Sequence, residues 1–347
     1  MKMRKGSAGK RVGVIMGGSS SERDVSLLSG AAVAGALEAR GHDVVRFVLG
    51  ESFGAEVAET FARARIDVAF LALHGRHGED GCVQGLLELA QIPYTGSSVL
   101  ASALAMDKLK AKEMFRLHNV PTPPYYAIEE SYAQADLEAI HGSFGFPVIV
   151  KPRGEGGSLG VSKASSLPEL CRALELALSY DDVAIVERFI VGTEINVGIL
   201  DGRVLGAIEI VPGSDVFDHQ AKATPGLAEH FMPARLPSAR YRNVLNLAGR
   251  AAKALGCTGA VRVDMLVTSS ENEYVLEVNT LPGLTEQSLL PRIAADAGYE
   301  FDRLCEAILD GARLHQPPRR SRSVRGAEAK VPYRRAQDEA FILKSVG

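Results

Sequence analysis

At 347 residues with 46% hydrophobic content, the chain is long enough to bury a sizeable core and to divide into roughly two or three domains of a soluble globular protein. A formal charge of -3 gives no whole-chain attraction to nucleic acid or acidic membranes, which leaves small-molecule chemistry as the default. Cys82, Cys171, Cys257 and Cys305 form no CxxC pair and no metal spacing, as expected of buried small residues in a reducing compartment. The N-terminus is polar and basic through Arg11, and the apolar run Val12 to Met16 is too short for a signal-peptide core, so a cytoplasmic location without membrane spans is expected.

In chain order, Arg11 to Met16 reads as a buried strand leading into Gly17-Gly18-Ser19-Ser20-Ser21-Glu22, followed by a helical pattern to about Arg40 that Gly41 stops. Val44 to Leu49 and Val68 to Leu73 supply further strands with helical stretches between, so the first hundred residues predict an open α/β sheet. Ligands of such sheets bind beyond the strand ends, where His74-Gly75-Arg76-His77-Gly78-Glu79-Asp80-Gly81 lies. From about Met106 the pattern predicts a helix, the turn-rich Pro121-Thr122-Pro123-Pro124, another helix, and the strand Pro147 to Lys151. A domain boundary is placed near residue 100. From Leu314, a basic and sparsely hydrophobic segment predicts an appendage outside the core. No internal repeat is visible.

Three stretches carry chemistry. Residues alternate sides in a strand, so Arg262 and Asp264 share one face while Val261, Val263 and Met265 take the other; Glu277 and Asn279 share a face opposite Tyr274, Leu276 and Val278. Ser269 to Asn272 make a polar turn that pairs the two runs. Two carboxylates and an amide suit Mg²⁺, whose shell phosphate oxygens and water complete, although an exposed hairpin with a charged face reads the same way. The second stretch is Lys151-Pro152-Arg153-Gly154-Glu155-Gly156-Gly157-Ser158-Leu159-Gly160, whose glycines let backbone N–H groups approach phosphate while the lysine adds a point charge. It is not a Walker A loop, because the lysine precedes the glycines and strands bound it; a plain flexible hairpin loop remains the alternative. Third, the apolar strand Ala184 to Ile190 runs into Gly192-Thr193-Glu194, a connector able to hydrogen-bond a base, followed by an acid able to bind ribose.

Five motifs in order, GGSSSERDVSLLSG, LALHGRHGEDGCVQGLLELAQIPYTGSSVLASALAMDK, VKPRGEGGSLGVSK, VRVDM and LEVNTLPGLTEQSL, resemble those of the D-alanine–D-alanine ligases of the ATP-grasp superfamily, from about Arg11 to Arg313. The resemblance implies an α/β, three-domain ATP-grasp fold, in which an N-terminal open parallel α/β domain precedes two antiparallel-sheet domains that hold ATP between them. The implied divisions are 1–100 for substrate binding, 101–186 with the phosphate loop, 187–313 with the metal and oxyanion site, and 314–347 as the basic tail. It implies ATP and two Mg²⁺ (or Mn²⁺) held by Asp264, Glu277 and Asn279, with nucleotide contacts from Lys108, Lys151, Ser158, Glu187, Ile190, Glu194 and Lys222. Glu22 is expected to hold the first D-alanine's ammonium with His74 nearby, Arg262 and the Gly283 N–H to form the oxyanion site, and Ser288 with Leu289 to receive the second carboxylate. A homodimer acting in peptidoglycan-precursor synthesis, without nucleic-acid or membrane partners, completes the expectation. A different second substrate such as D-lactate, or a non-catalytic nucleotide-binding homologue, are the competing readings.

Two departures from the family pattern stand out. Most members carry two adjacent serines in the phosphate loop and a mobile loop reading Asp-Tyr-x-Ala-Lys-Tyr; here the first serine is Gly157, and the loop is Asp218-His219-Gln220-Ala221-Lys222-Ala223. Of the hydrogen-bonded trio that joins Ser, Tyr and Glu in the family, Glu22 alone is kept. Losing both hydroxyls together is chemically coherent, because either one alone would lack its partner.

Overall fold

The structure, a computed structural model, describes residues 9–51, 55–131, 136–212, 228–270 and 272–315. Strand β1 (Arg11–Gly17) is buried from Val12 onward, as its unbroken apolar run requires when both faces of a parallel sheet are covered. It pairs in parallel with β2 (Asp43–Leu49) on one side and β3 (Val68–Leu71) on the other. Helices α1 (Arg23–Ala39) and α2 (Ala55–Ala64) make the two crossovers. The β3 ladder stops at Leu71, two residues short of the predicted strand, and α3 (Cys82–Leu89) follows the glycine-rich loop.

Helices α4 (Val99–Met106) and α5 (Lys108–Leu117) meet at Asp107, whose carboxylate accepts from the Lys110 N–H at 3.0 Å and caps α5. Where the sequence predicted a helix after Pro124, the chain first forms strand β4 (Tyr125–Glu129) and only then the single-turn α6 (Leu137–His141). Two tyrosines and an isoleucine favour a pleated surface, and pairing with the later β7 decides the outcome. Strands β5 (Val148–Pro152) and β6 (Ser162–Ala164), helix α7 (Leu167–Leu178) and β7 (Val183–Arg188) complete an antiparallel sheet in the order β4-β7-β5-β6. The third sheet, also antiparallel, runs β10-β9-β8-β11-β12. Its members are β8 (Thr193–Leu200), β9 (Arg203–Pro212), β10 (Ala228–Phe231), β11 (Ala260–Val267) and β12 (Glu273–Asn279), with α8 (Ser238–Ala254) between β10 and β11. Helices α9 (Leu289–Asp296) and α10 (Phe301–Asp310) follow.

The cores do not simply follow chain order. Val14, Val33 and Phe70 of the parallel sheet and α1 share one apolar cluster with Leu290, Leu304 and Ile308 of α9 and α10. Ala105, Ala111 and Phe115 of α4 and α5 pack with Val263 and Ala248 of the five-stranded sheet and α8. The four-stranded sheet keeps a separate core, including Ile128, Val150, Leu170 and Val186. At its end the body is pinned by paired backbone bonds between Tyr94 and Arg313, 3.3 and 3.1 Å. Among the described residues no helix is long and apolar enough to cross a membrane.

Candidate active site

The hairpin β11–β12 brings the predicted metal-ligand residues together. Asp264 lies directly opposite Glu277, and Arg262 opposite Asn279. Asp264 is almost wholly buried. The Arg262 guanidinium donates to both its oxygens, Nε to Oδ1 at 2.7 Å and a terminal nitrogen to Oδ2 at 2.8 Å, while Asn279 Nδ2 donates to Oδ2 at 3.3 Å. Burial alone would lower the Arg262 pKa, but the adjoining Asp264 carboxylate outweighs it and holds the guanidinium above its ordinary value. On β12 the strict alternation read from the sequence fails. A bulge opens where the register passes from Asp264↔Glu277 to Met265↔Val275, so Val275 and Val278 enter the core, while Leu276 joins Glu277 in lining the cavity.

That cavity, about 520 Å³, lies between the two antiparallel sheets. Its lining includes Lys108, Lys151, Ser158, Glu187, Ile190 and Glu194, the described residues expected to touch nucleotide, together with Asp264 and Glu277. Lys222 lies outside the described residues. Strands β5 and β6 bound the glycine-rich loop, as its sequence predicted. Ser158 sits within it at φ 62°, in the left-handed region that non-glycine residues enter rarely. Lys108 Nζ donates to the Glu155 carbonyl at 2.5 Å and lies 3.7 Å from the Glu277 carboxylate, so one cation touches both the loop and the hairpin. Lys151 Nζ stands 2.5 Å from Glu187 Oε1.

A second, smaller cavity adjoins the first and shares Lys108 and Glu277 with it; Glu22, Glu79, Gly156, Gly157 and Asn279 complete its polar wall. Glu22 occupies the turn before α1 and faces the loop so closely that a Cβ on Gly156 would sit 2.2 Å from its Oε2. His74 is buried, with Nε2 3.3 Å from Ser29 Oγ. Burial, with help from the Arg262 charge, pushes its pKa down to about 4, so the imidazole is neutral at physiological pH. Glu79 accepts from the N–H groups of Gly75 at 2.8 Å and Leu281 at 3.2 Å. Burial, and after it the Glu22 carboxylate, push Glu79 up to about 8. Ser288 precedes α9 at its N-cap position, but its hydroxyl turns back to Thr285, accepting from the backbone N–H at 3.1 Å and lying 2.8 Å from Oγ1. A Cβ on Gly283 would meet the same hydroxyl at 3.0 Å, so Gly283 and Ser288 are neighbours, with Leu289 next along the helix.

Residues 114–310 match the model for the D-Ala–D-Ala ligase C-terminus and residues 50–97 the model for its N-terminus. The chain belongs to the D-alanine–D-alanine ligase family. It is 51% identical over 307 residues to the D-alanine–D-alanine ligase of Geotalea uraniireducens, covering 88% of this chain and 96% of the relative. To the Geobacter sulfurreducens ligase it is 52% identical over 305 residues, covering 88% and 94%. Among solved structures it resembles the Bacillus anthracis D-alanine–D-alanine ligase complexed with ATP, with a TM-score of 0.75 and 34% identity over 87% of this chain and 97% of that one. It also resembles the VanG D-Ala:D-Ser ligase of Enterococcus faecalis, with a TM-score of 0.76 and 30% identity over 87% and 99%. The three-domain ATP-grasp architecture expected from the sequence is therefore the fold of this ligase-family chain.

Two residues in or beside this candidate site carry no assignment from the sequence, Glu79 in the smaller cavity's wall and Lys112 behind Glu187. Glu79 sits inside the quoted loop motif, and its signal was an acid among glycines just past a strand end. Lys112 is fully buried behind Glu187, one helical turn beyond Lys108; that four-residue spacing on α5 was the clue.

Proposed function

We propose that this enzyme joins two D-alanines to D-alanyl-D-alanine with cleavage of ATP to ADP and phosphate, in the cytoplasm, for peptidoglycan precursors. The observation that carries the reading is the meeting of the two cavities at Lys108 and Glu277. A nucleotide-sized space there adjoins a polar pocket walled by Glu22. The first D-alanine, its ammonium on Glu22, offers a carboxylate oxygen to the γ-phosphorus, and ADP leaves. The amine of the second D-alanine then attacks the acyl carbon of D-alanyl phosphate, and phosphate leaves from the tetrahedral intermediate. No enzyme nucleophile takes part.

The donor set fits hard divalent cations. Asp264, Glu277 and Asn279 offer two carboxylates and an amide on one face of the hairpin. Among the described residues no group of three or more His, Cys, Asp or Glu forms an all-protein cage, which suits Mg²⁺ finished by phosphate oxygens and water. Two such ions, when bound, supply charge neutralisation across the transferring phosphoryl group. Lys108 and Lys151 hold the phosphates, and Ser158 and its loop neighbours cover them. Arg262 and the Gly283 N–H receive the developing oxyanion, and Ser288 with Leu289 orients the second substrate's carboxylate.

Identity near 50% to D-alanine–D-alanine ligases, against 30% to a D-Ala:D-Ser ligase, favours D-alanine as second substrate over the alternatives. ADP release is measured with D-alanine alone, then with D-lactate or D-serine added to limiting D-alanine. Release with D-alanine alone, accompanied by dipeptide, is the expected result. Release only on addition of another nucleophile overturns the choice of second substrate, and no release in any arm overturns ligation.

A further inference from the structure

A fully buried ammonium stands behind the nucleotide cavity. Lys112 has no exposed side chain and does not line the cavity, whereas Lys151 and Glu187 do. Its Nζ donates to Thr122 Oγ1 at 2.6 Å, stands 3.0 Å from Glu187 Oε1, and lies 5.5 Å from the centre of the Tyr125 ring. Lys151 Nζ approaches the same Glu187 oxygen, from the cavity side. One carboxylate is thus shared by two ammonium groups, and the trio carries a net charge of +1. Desolvation opposes charge on both Lys112 and Glu187, so the arrangement persists only because each ion has a close opposite charge.

The two lysines reach Glu187 from different parts of the fold. Lys112 projects from α5, which packs in the core of the five-stranded sheet, while Lys151 and Glu187 belong to β5 and β7 of the other sheet. Without Lys112, Glu187 and Lys151 would form a one-to-one pair with no net charge facing the cavity. With Lys112 present, the charge of Glu187 is met from behind, and the positive charge of Lys151 is left for a ligand.

We propose that Lys112 is a positioning residue for ATP: by sharing Glu187 from the protein side, it leaves the trio a net positive charge that the Lys151 ammonium presents to the nucleotide phosphates. This rests on the reading of the cavity as the nucleotide site, and the experiment separates the two. ATP dissociation constants are measured by calorimetry, with Mg²⁺ and without D-alanine, for the parent, Lys151→Met, Lys112→Met, Lys112→Arg, Glu187→Gln and the Lys112→Met/Glu187→Gln pair. Melting temperatures establish that each is folded. Lys112→Met should weaken ATP binding on the order of tenfold. Adding Glu187→Gln should restore much of the loss, because it removes the carboxylate that captures Lys151. A void left by the lysine stem would not be filled by that second change, so recovery identifies charge as the cause. Lys112→Arg should stay closer to the parent than Lys112→Met. Parent-like ATP binding in folded Lys112→Met overturns the proposal, as does a double variant that binds no tighter than Lys112→Met. An unaltered dissociation constant in Lys151→Met instead overturns the nucleotide site itself.

Discussion

Gly156 offers the sharpest test of the role given to Glu22. A Cβ there would lie 2.2 Å from Glu22 Oε2, well inside any tolerable approach, and the glycine is not at positive φ. The atom in the way is the far end of a flexible side chain, so Gly156→Ala is accommodated by swinging the Glu22 carboxylate aside by more than about 1 Å rather than by rebuilding the loop. Such a shift breaks a charge-assisted hydrogen bond to a bound ammonium, worth roughly 1.5–3 kcal/mol. The KM for the first D-alanine should therefore rise by about 10- to 150-fold, while the melting temperature and the affinity for ATP stay near the parent's. Initial rates with varied D-alanine at saturating ATP, alongside calorimetric ATP binding, read both. A folded Gly156→Ala enzyme with parental KM for D-alanine would refute the assignment of Glu22.

Glu277→Gln should preserve the fold and cost about 3 kcal/mol or more in transition-state stabilisation; unchanged turnover at limiting Mg²⁺ removes the residue from the metal site. Glu79→Gln tests linkage. Glu79 is raised from 4.5 to about 8 in the fold, so the unfolded chain releases its proton first and folding stability falls as pH rises between those values. At roughly 1.4 kcal/mol per tenfold the span corresponds to a few kcal/mol, and the Gln variant's stability-versus-pH curve from denaturant titrations should be flatter by that amount; parallel curves contradict the burial argument. Gly157→Ser places a side chain at φ 57°, 3.4 Å from the Glu22 carboxyl, and without its tyrosine partner should cost about 1 kcal/mol of stability with no fall in KM for D-alanine. Combined with Ala223→Tyr it should depart from additivity by about 0.5–3 kcal/mol in kcat/KM; agreement within about 0.3 kcal/mol shows the positions are independent.

Much of this site was readable because chemistry and periodicity coincided. Arg262, Asp264, Glu277 and Asn279 alternate with apolar residues, and the register of β11 on β12 sets them opposite one another as that pattern demands. The alternation misled on the far side of the bulge, at Val275 and Leu276, because a bulge consumes one residue and carries no mark in composition. Strand β4 was missed for a related reason: Tyr125 to Glu129 is short and buries only Ile128, so its identity depends on β7, more than fifty residues downstream. Glu79 and Lys112 were harder still. A lone acid or lysine on a sequence gives no sign of burial, and each acquires its role from partners that only folding supplies, Leu281 for one and Glu187 for the other.

The partition of cores bears on how a nucleotide gets in. The parallel sheet and the last two helices are fused by common apolar packing, whereas the four-stranded sheet has its own core. Among the links from that sheet and its loop to α5 and its cap are ions: Lys112 with Glu187, and Asp107 with Arg153. Separating apolar surfaces exposes them to water at a cost proportional to area, but an ion pair that parts can be resolvated, or re-formed on a phosphate. The least resisted movement is then that of the phosphate-loop sheet away from a fixed body. Glu22, before α1, and Arg262, on β11, both belong to that body, so in the proposed reaction the entry of ATP leaves their relative placement unchanged.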